Sequence, residues 1–248
     1  MRLAIVPARG GSKRIPRKNI KPFMGKPMIA YAISAALESG IFDKVLISTD
    51  DDEIARIAMS YGAEVPFMRP AELADDHTAT VPVIGHAIRT CLEWGWDVGE
   101  VCCIYPGVPF ISKADLLAAH QQLLNTDVSY VFPVTGFPSA IQRALRRLPG
   151  GSVEPFYPEY AATRTQDLEP TYFDVGQFYW GKKDAWLAEL NLHMNGASLV
   201  IPEWRSVDID TPADWERAEL LYSHLSQRGY NNTARSQSAG VSISTDRH

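Results

Sequence analysis

Residues 3–62 alternate between short apolar runs and stretches whose apolar residues recur at helical spacing. Leu3–Val6 and Val45–Asp50 have the composition and length of strands, the second running into an acidic turn. The helical stretch after the first strand ends at Gly40, and the one after the second ends at Gly62. An order of β-loop-α-β-α favours a parallel sheet with helices packed on its faces. The pattern therefore predicts an α/β fold.

The alternation continues to about residue 225, with one interruption. Residues 136–171 lose the pattern and contain several Pro and Gly, a basic cluster and several aromatic residues. We interpret them as an insertion, a lid or an oligomer arm within a single domain over residues 1–225. Residues 226–248 are rich in Ser, Asn, Gln and Gly, and we predict a disordered tail there.

The composition excludes several classes of protein. No apolar run approaches the roughly 18 residues of a membrane span, and the first residues do not resemble a signal peptide. A net charge of −5 and the lack of a recognised binding module disfavour nucleic acid as a partner. The three cysteines, Cys91, Cys102 and Cys103, fall in apolar or helical surroundings, so we expect buried free thiols and a cytoplasmic protein.

A basic loop, Pro7–Asn19, follows the first strand directly. Eight Lys or Arg and no Asp or Glu occur between Met1 and Leu37, although the whole chain is acidic. The loop has two adjacent glycines and two prolines, but it matches neither GxxxxGK[ST] nor GxGxxG. It could be a solvated basic turn. Its place at the end of a first strand favours a site where backbone N–H groups and cations hold a polyphosphate.

A second candidate site is the acidic segment Ser206–Pro212. Asp208 and Asp210 alternate with apolar residues, so an extended backbone points both carboxylates to one side. Two such carboxylates suit Mg²⁺ shared with substrate phosphates. Asp210 or Thr211, with Asp214 following, also fits the start of a helix. Both interpretations stay open for Asp210, whereas Asp208 has no capping role.

The chain resembles cytidylyltransferases that activate nine-carbon sugar acids. The resemblance covers about residues 3–222 and rests on five motifs in the order of that family, of which the first and last together are specific: Ala4–Asn19, Ser48–Asp50, Arg69–Ala74, Arg164–Leu168 and Ser206–Thr211. It implies a Rossmann-like nucleotidyltransferase domain with a mostly parallel sheet and helices on both faces. It also implies a homodimer in which residues 136–171 reach toward the partner's site.

The resemblance further implies a reaction of CTP with a sugar acid, which gives a CMP-sugar and pyrophosphate. The implied CTP contacts are Ala8, Arg9, Gly10, Ser12, Lys18, Asn19, Arg69 and Thr80. The implied sugar-acid contacts are Tyr105, Arg164, Gln166 and Gln177. Asp208 and Asp210 are the implied Mg²⁺ ligands, and together with Arg9 and Lys18 they form the implied catalytic set.

Two segments bear on the sugar acid. Tyr172–Gly181 is most similar to the branch of the family that uses pseudaminic acid. Tyr105–Pro109 differs from the Gln-Pro-Thr-Ser-Pro common in sialic acid enzymes, and also from the Tyr-Ala-Thr-Ala-Pro expected in the pseudaminic branch. The alternatives are the same reaction on a sialic, legionaminic or eight-carbon ulosonic acid, and a non-catalytic nucleotide-binding protein. The paired aspartates and the intact basic loop argue against the last.

Overall fold

The computed structural model describes residues 1–75 and 78–228, which form six α-helices and eleven strands. The helices are α1 (Ile29–Ser39), α2 (Asp52–Ser60), α3 (Thr80–Glu93), α4 (Lys113–Asn125), α5 (Lys183–Leu187) and α6 (Pro212–Gln227). The strands are β1 (Arg2–Pro7), β2 (Pro22–Phe23), β3 (Lys26–Pro27), β4 (Lys44–Ser48), β5 (Glu100–Ile104), β6 (Tyr130–Gly136), β7 (Leu145–Arg147), β8 (Val153–Pro155), β9 (Tyr172–Asp174), β10 (Phe178–Lys182) and β11 (Gly196–Val200).

Seven strands form the central sheet, in the order β11-β6-β10-β5-β1-β4 with β9 added on β6. β1 is parallel to both β4 and β5, and β11 is parallel to β6. Only β9 and β10 run antiparallel to their neighbours in this sheet, within the part of the chain that the structure describes. The predicted mostly parallel sheet is confirmed.

Helices cover both faces of the sheet because its central strands are apolar on both sides. Ala4 and Val6 of β1 face a core with α1, α2 and α4, while Leu3 and Ile5 face a second core with α3 and α5. A strand buried on both faces reads in sequence as a continuous apolar run, as this one does.

A third, smaller apolar cluster lies under the basic loop and the acidic segment. Ile15 from the loop and Ile209 from the acidic segment are both buried in it. Phe23, Tyr31 and Trp215 complete it, with ring centroids 5.5–5.6 Å apart in edge-on pairs around Phe23. Two segments almost 200 positions apart in the chain are thus anchored in one core, which sets their positions relative to each other.

Residues 136–171 connect β6 to β9, which pair antiparallel at one side of the sheet. Within them β7 and β8 form a separate two-stranded hairpin, and the remainder is turns and short 3₁₀ helices. We call this segment the arm. Leu168 is buried, but most of the large apolar side chains of the arm are exposed, namely Phe137, Ile141, Leu145, Val153, Phe156, Tyr157 and Tyr160.

The sequence also predicts a short strand at Glu64–Phe67 and a helix that begins at Pro27, and both predictions were wrong. The strand expected at Glu64–Phe67 is reduced to isolated bridges, one of them at Glu64, beside β4. The helix expected to begin at Pro27 begins at Ile29, because Pro27 pairs with Pro22 in a small antiparallel ladder first.

The structure also bears on the predicted start of the C-terminal tail and on the predicted burial of the cysteines. The last helix runs to Gln227, two residues into the predicted tail, and residues 229–248 lie outside the described part of the chain. All three cysteines are buried and free, as expected, and burial raises the pKa of the Cys91 thiol to about 11. Among the described helices, we find none with the length and apolar character needed to cross a bilayer.

Candidate active site

A cavity of about 580 Å³ opens where β1 and β5 end, within the range of roughly 300–1,000 Å³ typical of small-molecule sites. We call it the large cavity. The predicted site residues that line it are Arg9, Ser12, Lys18, Asn19, Arg69, Thr80, Tyr105 and Asp210. The carboxyl ends of parallel strands are where open α/β sheets bind ligands.

A second cavity of about 120 Å³ adjoins the first, and we call it the small cavity. Lys18 and Tyr105 line both cavities and therefore stand at their junction. The small cavity is closed on its other sides by Val175, Gly176 and Asp208. The two carboxylates of the acidic segment are thus divided between the cavities, with Asp210 on the large one.

The basic loop is held in shape by hydrogen bonds to its backbone. The Gly10 N–H donates to Asp50 Oδ1 at 3.0 Å, and the buried Asn19 amide donates to the Arg9 carbonyl oxygen at 2.9 Å. A Cβ on Gly10 would stand 2.6 Å from Asp51 Oδ2, so any larger residue there would displace the loop. Ala8 is buried in the core, with its N–H donating to the Ser48 carbonyl. Ala8 and Gly10 therefore hold the conformation of the basic loop, and neither lines the large cavity.

One cation of the loop, Arg17, is paired with carboxylates of the same chain. Arg17 donates to both Asp51 oxygens, with Nη2 to Oδ1 at 3.0 Å, and also pairs with Glu53. Asp51 in turn caps α2 by accepting from the N–H groups of Glu53 and Ile54, each at 2.9 Å. The Arg17 hydrogen bond, partly opposed by burial, holds the pKa of Asp51 at about 2. Sequence reasoning missed this clamp, because its two partners, Arg17 and Asp51, are 34 positions apart in the chain.

The acidic segment meets the basic loop through three contacts. Lys18 Nζ donates to the Ile209 carbonyl at 2.7 Å and lies 3.4 Å from Asp210 Oδ1. Arg14 Nη1 lies 2.7 Å from Asp210 Oδ2. Ile209 packs into the small core while Asp208 and Asp210 turn outward, which is the alternation expected from the sequence. Arg14 was not among the predicted site residues.

The structure decides which residue caps α6. Thr211 is the N-cap, and its side chain and Asp214 form a reciprocal capping box. The Asp210 carboxylate therefore has no capping role. The Asp208 carboxylate is exposed and has no hydrogen bond or ion pair with any other residue in ranges 1–75 and 78–228.

A buried arginine forms the floor of the large cavity. Arg69 is only 7% exposed, and its Nε donates to Ser48 Oγ at 3.0 Å while a terminal nitrogen donates to the Ser48 carbonyl. Burial lowers its pKa below the usual value for arginine. On the opposite wall, Thr80 Oγ1 and the Tyr105 hydroxyl share a hydrogen bond of 2.8 Å. Burial raises the pKa of Tyr105 to about 12, so it stays neutral at physiological pH.

The structure separates three predicted sugar-acid contacts from the cavities. Arg164 lies on the arm, where it pairs with Asp167 at 2.7 Å, and Gln166 is exposed beside it. Gln177 is 3% exposed, and its Nε2 donates to the Arg205 carbonyl at 2.6 Å. None of the three lines either cavity. In one chain, only Tyr105 of the four predicted residues reaches them.

Comparison with known proteins identifies the family. The cytidylyltransferase family matches residues 3–144. The chain is 42% identical to the pseudaminic acid cytidylyltransferase of Campylobacter jejuni, over 89% of this chain and 95% of that protein. The chain belongs to the cytidylyltransferase family. The CMP-N,N′-diacetyllegionaminic acid synthase of Legionella pneumophila is also similar, 30% identical over 88% of this chain and 95% of that one.

A solved structure with the same fold supports the architecture. The CMP:2-keto-3-deoxy-manno-octonic acid synthetase complexed with CTP superposes on this cytidylyltransferase with a TM-score of 0.66, covering 90% of this chain and 98% of that one. At 17% identity the likeness concerns the fold alone. The predicted Rossmann-like nucleotidyltransferase fold is thereby confirmed.

The residues of the cytidylyltransferase fit a divalent cation of the kind implied by the resemblance. No group of three or more His, Cys, Asp or Glu side chains that could hold a metal occurs among the described residues. Mg²⁺ does not require one, since it commonly takes one or two carboxylates and completes its octahedron with water and substrate phosphates. Asp208 offers an unpartnered carboxylate for this purpose, and Asp210 offers one now shared with Lys18 and Arg14.

Proposed function

We propose that this cytidylyltransferase joins CTP to pseudaminic acid, giving CMP-pseudaminic acid and pyrophosphate. The observation that carries the proposal is the identity of 42% along nearly the whole length of a relative named for that reaction. The geometry supports it, because a cavity of small-molecule size is lined both by basic residues of the loop and by Asp210 of the acidic segment.

In the proposed reaction the anomeric hydroxyl oxygen of the acid attacks the α-phosphorus of CTP. The hydroxyl loses its proton to solvent, and the bond from the α-phosphorus to the bridging oxygen breaks as pyrophosphate leaves. Negative charge grows on the phosphate oxygens during this step, so fixed cations around them lower the barrier.

The roles of the basic residues follow from their positions. Lys18 stands at the junction of the cavities, which is where the α-phosphate and the attacking hydroxyl must meet. Arg9 and Ser12 line the large cavity beside it and are placed for the remaining phosphates. Arg69 and Thr80 also line the large cavity and are the proposed contacts of the nucleoside, and Asn19 keeps the loop in shape.

Asp208 and Asp210 are the proposed Mg²⁺ ligands. The bound ion supplies positive charge to the phosphate oxygens and fixes their orientation. For this chain, the consequence is an exchange of partners at Asp210. If its carboxylate held the ion, Lys18 and Arg14 would lose their ion pairs with Asp210 and could face phosphate, while Lys18 would keep its hydrogen bond to the Ile209 carbonyl.

We further propose that the enzyme works as a homodimer in the cytoplasm. The small cavity is well below the roughly 300 Å³ at which small-molecule sites begin, so one chain offers the acid an incomplete site. The arm carries Arg164, Gln166 and a row of exposed apolar side chains. An arm from a second copy would cover that apolar surface and complete the acid site.

The test is a panel of sugar acids assayed with CTP and Mg²⁺ by pyrophosphate release. We expect the highest kcat/KM with pseudaminic acid. A higher value with a sialic, legionaminic or eight-carbon ulosonic acid would keep the chemistry and replace the substrate. If calorimetry showed CTP binding but no acid gave pyrophosphate, the chain would be a nucleotide-binding protein and the proposal would fall.

A further inference from the structure

Asp174, at the end of β9, accepts three hydrogen bonds from three different directions. The donors are the Gly176 N–H, the Tyr179 hydroxyl and the His193 Nε2, each at 2.8 Å. Oδ1 takes the first and Oδ2 the other two. A carboxylate is the only side-chain group that can accept from all three donors without offering a proton of its own.

Two of these hydrogen bonds lead to the lining of the small cavity. Gly176 lines the cavity, and its φ of +67° is a left-handed conformation that favours glycine. Tyr179 packs against a second lining residue, Tyr105, with the two ring centroids 5.6 Å apart. One carboxylate therefore fixes the turn at Gly176 and supports Tyr105 through Tyr179.

The network also reaches a hydroxyl at the cavity. Tyr179 donates its single O–H to Asp174. The Tyr179 hydroxyl also interacts with the hydroxyl of Tyr105, which lines both cavities and shares a hydrogen bond of 2.8 Å with Thr80 Oγ1. Asp174 is thus linked through Tyr179 to the Tyr105 hydroxyl.

We infer that Asp174 is a positioning residue for the sugar acid, acting on the lining of the small cavity through Gly176 and, by way of Tyr179, through Tyr105. The inference rests on the proposed function, since it assigns this cavity to the acid. The cations of the CTP side are held by other groups: Arg69 donates to Ser48, and Arg9 donates to the Asp75 carbonyl. Thr80 joins the network at its far end, through Tyr105. Loss of the Asp174 carboxylate should consequently disturb the acid far more than CTP.

The experiment compares Asp174→Asn and Tyr179→Phe with two matched controls. Asp43→Asn alters a carboxylate that accepts one backbone N–H far from both cavities. Tyr130→Phe removes a buried hydroxyl that has no hydrogen-bond partner among the described residues. Kinetics measured with each substrate varied in turn give separate KM values for the acid and for CTP, and thermal unfolding reports on folding.

We expect each test variant to raise the KM of the acid about tenfold, the effect of losing one well-placed hydrogen bond to a charged group. The KM of CTP should stay within about twofold, as should both values in the controls. The double variant should resemble the single ones, because the two residues act through the same contact. If Asp174→Asn does not fold, Tyr179→Phe carries the test, since its ring packing is kept.

Equal changes in both KM values, or no change in either, would overturn the inference. The proposed function would still stand in that case, provided that the wild-type protein releases pyrophosphate. A wild-type protein that releases no pyrophosphate with any acid would overturn the proposed function, and the inference with it.

Discussion

The basic loop and the arm differ in where their contacts go. The loop is tied to distant parts of the chain, through Lys18 to the acidic segment and through Arg17 to the start of α2. The arm is tied mainly to itself, as in the Arg146–Glu154 pair across its hairpin at 3.0 Å. The loop has two buried apolar residues in shared cores, Ala8 and Ile15, whereas most of the large apolar side chains of the arm are exposed.

This difference indicates that one chain can complete the nucleotide side of the site but not the acid side. The nucleotide side is pre-organised, because each of its charged groups already has a fixed neighbour that restricts its motion. The acid side has a small cavity and a set of predicted contacts held away from it. Changes on the nucleotide side should therefore act within one subunit, and changes in the arm should act between subunits.

The largest expected effect comes from Asp208→Asn. Removing a charge that stabilises the transition state costs about 3 kcal/mol, so kcat should fall by about 10²-fold or more. Because Asp208 is exposed and unpartnered within the described residues, the melting temperature should not change. Asp127→Asn, another exposed carboxylate, is the control and should retain full activity. Near-normal kcat in the Asp208 variant would contradict its assignment as a ligand.

Arg9→Ala should act on CTP alone. A charge-assisted hydrogen bond to phosphate contributes about 1.5–3 kcal/mol, so calorimetry should show CTP binding weakened by about 10- to 100-fold. The control is Arg56→Ala on the exposed side of α2, which should bind CTP normally. Unchanged CTP affinity in the Arg9 variant would leave the loop as a basic turn without a phosphate site.

Leu145→Asp tests the arm. Leu145 is 58% exposed, so a charge there costs little in a monomer, within about 0.5 kcal/mol. In a dimer that buries the arm it should shift the mass measured by light scattering toward the monomer and reduce kcat by about tenfold. Leu124→Asp changes a similarly exposed leucine on α4 and should do neither. A variant that remains dimeric and fully active would remove the arm from the interface.

The smallest expected effect is on stability at acidic pH. The pKa of Asp51 is held at about 2, below its ordinary unfolded value of about 3.9. A lowered pKa stabilises the folded state above the unfolded pKa, and that contribution is lost as the pH falls from about 4 to about 2. Since Arg17 is partly exposed, we expect about 1–2 kcal/mol.

Urea unfolding at pH 5 and pH 2.5 measures this contribution. Asp51→Asn should flatten the decrease in unfolding free energy between the two pH values. Asp184→Asn, whose carboxylate is 90% exposed, should leave the decrease as it is in the wild type. An unchanged decrease in the Asp51 variant would mean that the Arg17 clamp does not stabilise the fold.

The sequence by itself determined the sheet, the basic loop and the acidic segment, because each depends on local pattern. Burial on both faces makes β1 a continuous apolar run, and alternation at Asp208, Ile209 and Asp210 indicates which side is buried. Both patterns, the apolar run and the alternation, can be recognised within a few consecutive residues of the sequence.

Only the tertiary structure decided which of the predicted residues meet. Arg17 is committed to Asp51, and Arg14 reaches Asp210 nearly 200 positions away. Arg164 and Gln166, predicted beside Tyr105, lie apart from it on the arm. The reason is physical: a charged side chain takes whichever opposite charge the folded backbone brings near, and chain distance carries no information about that.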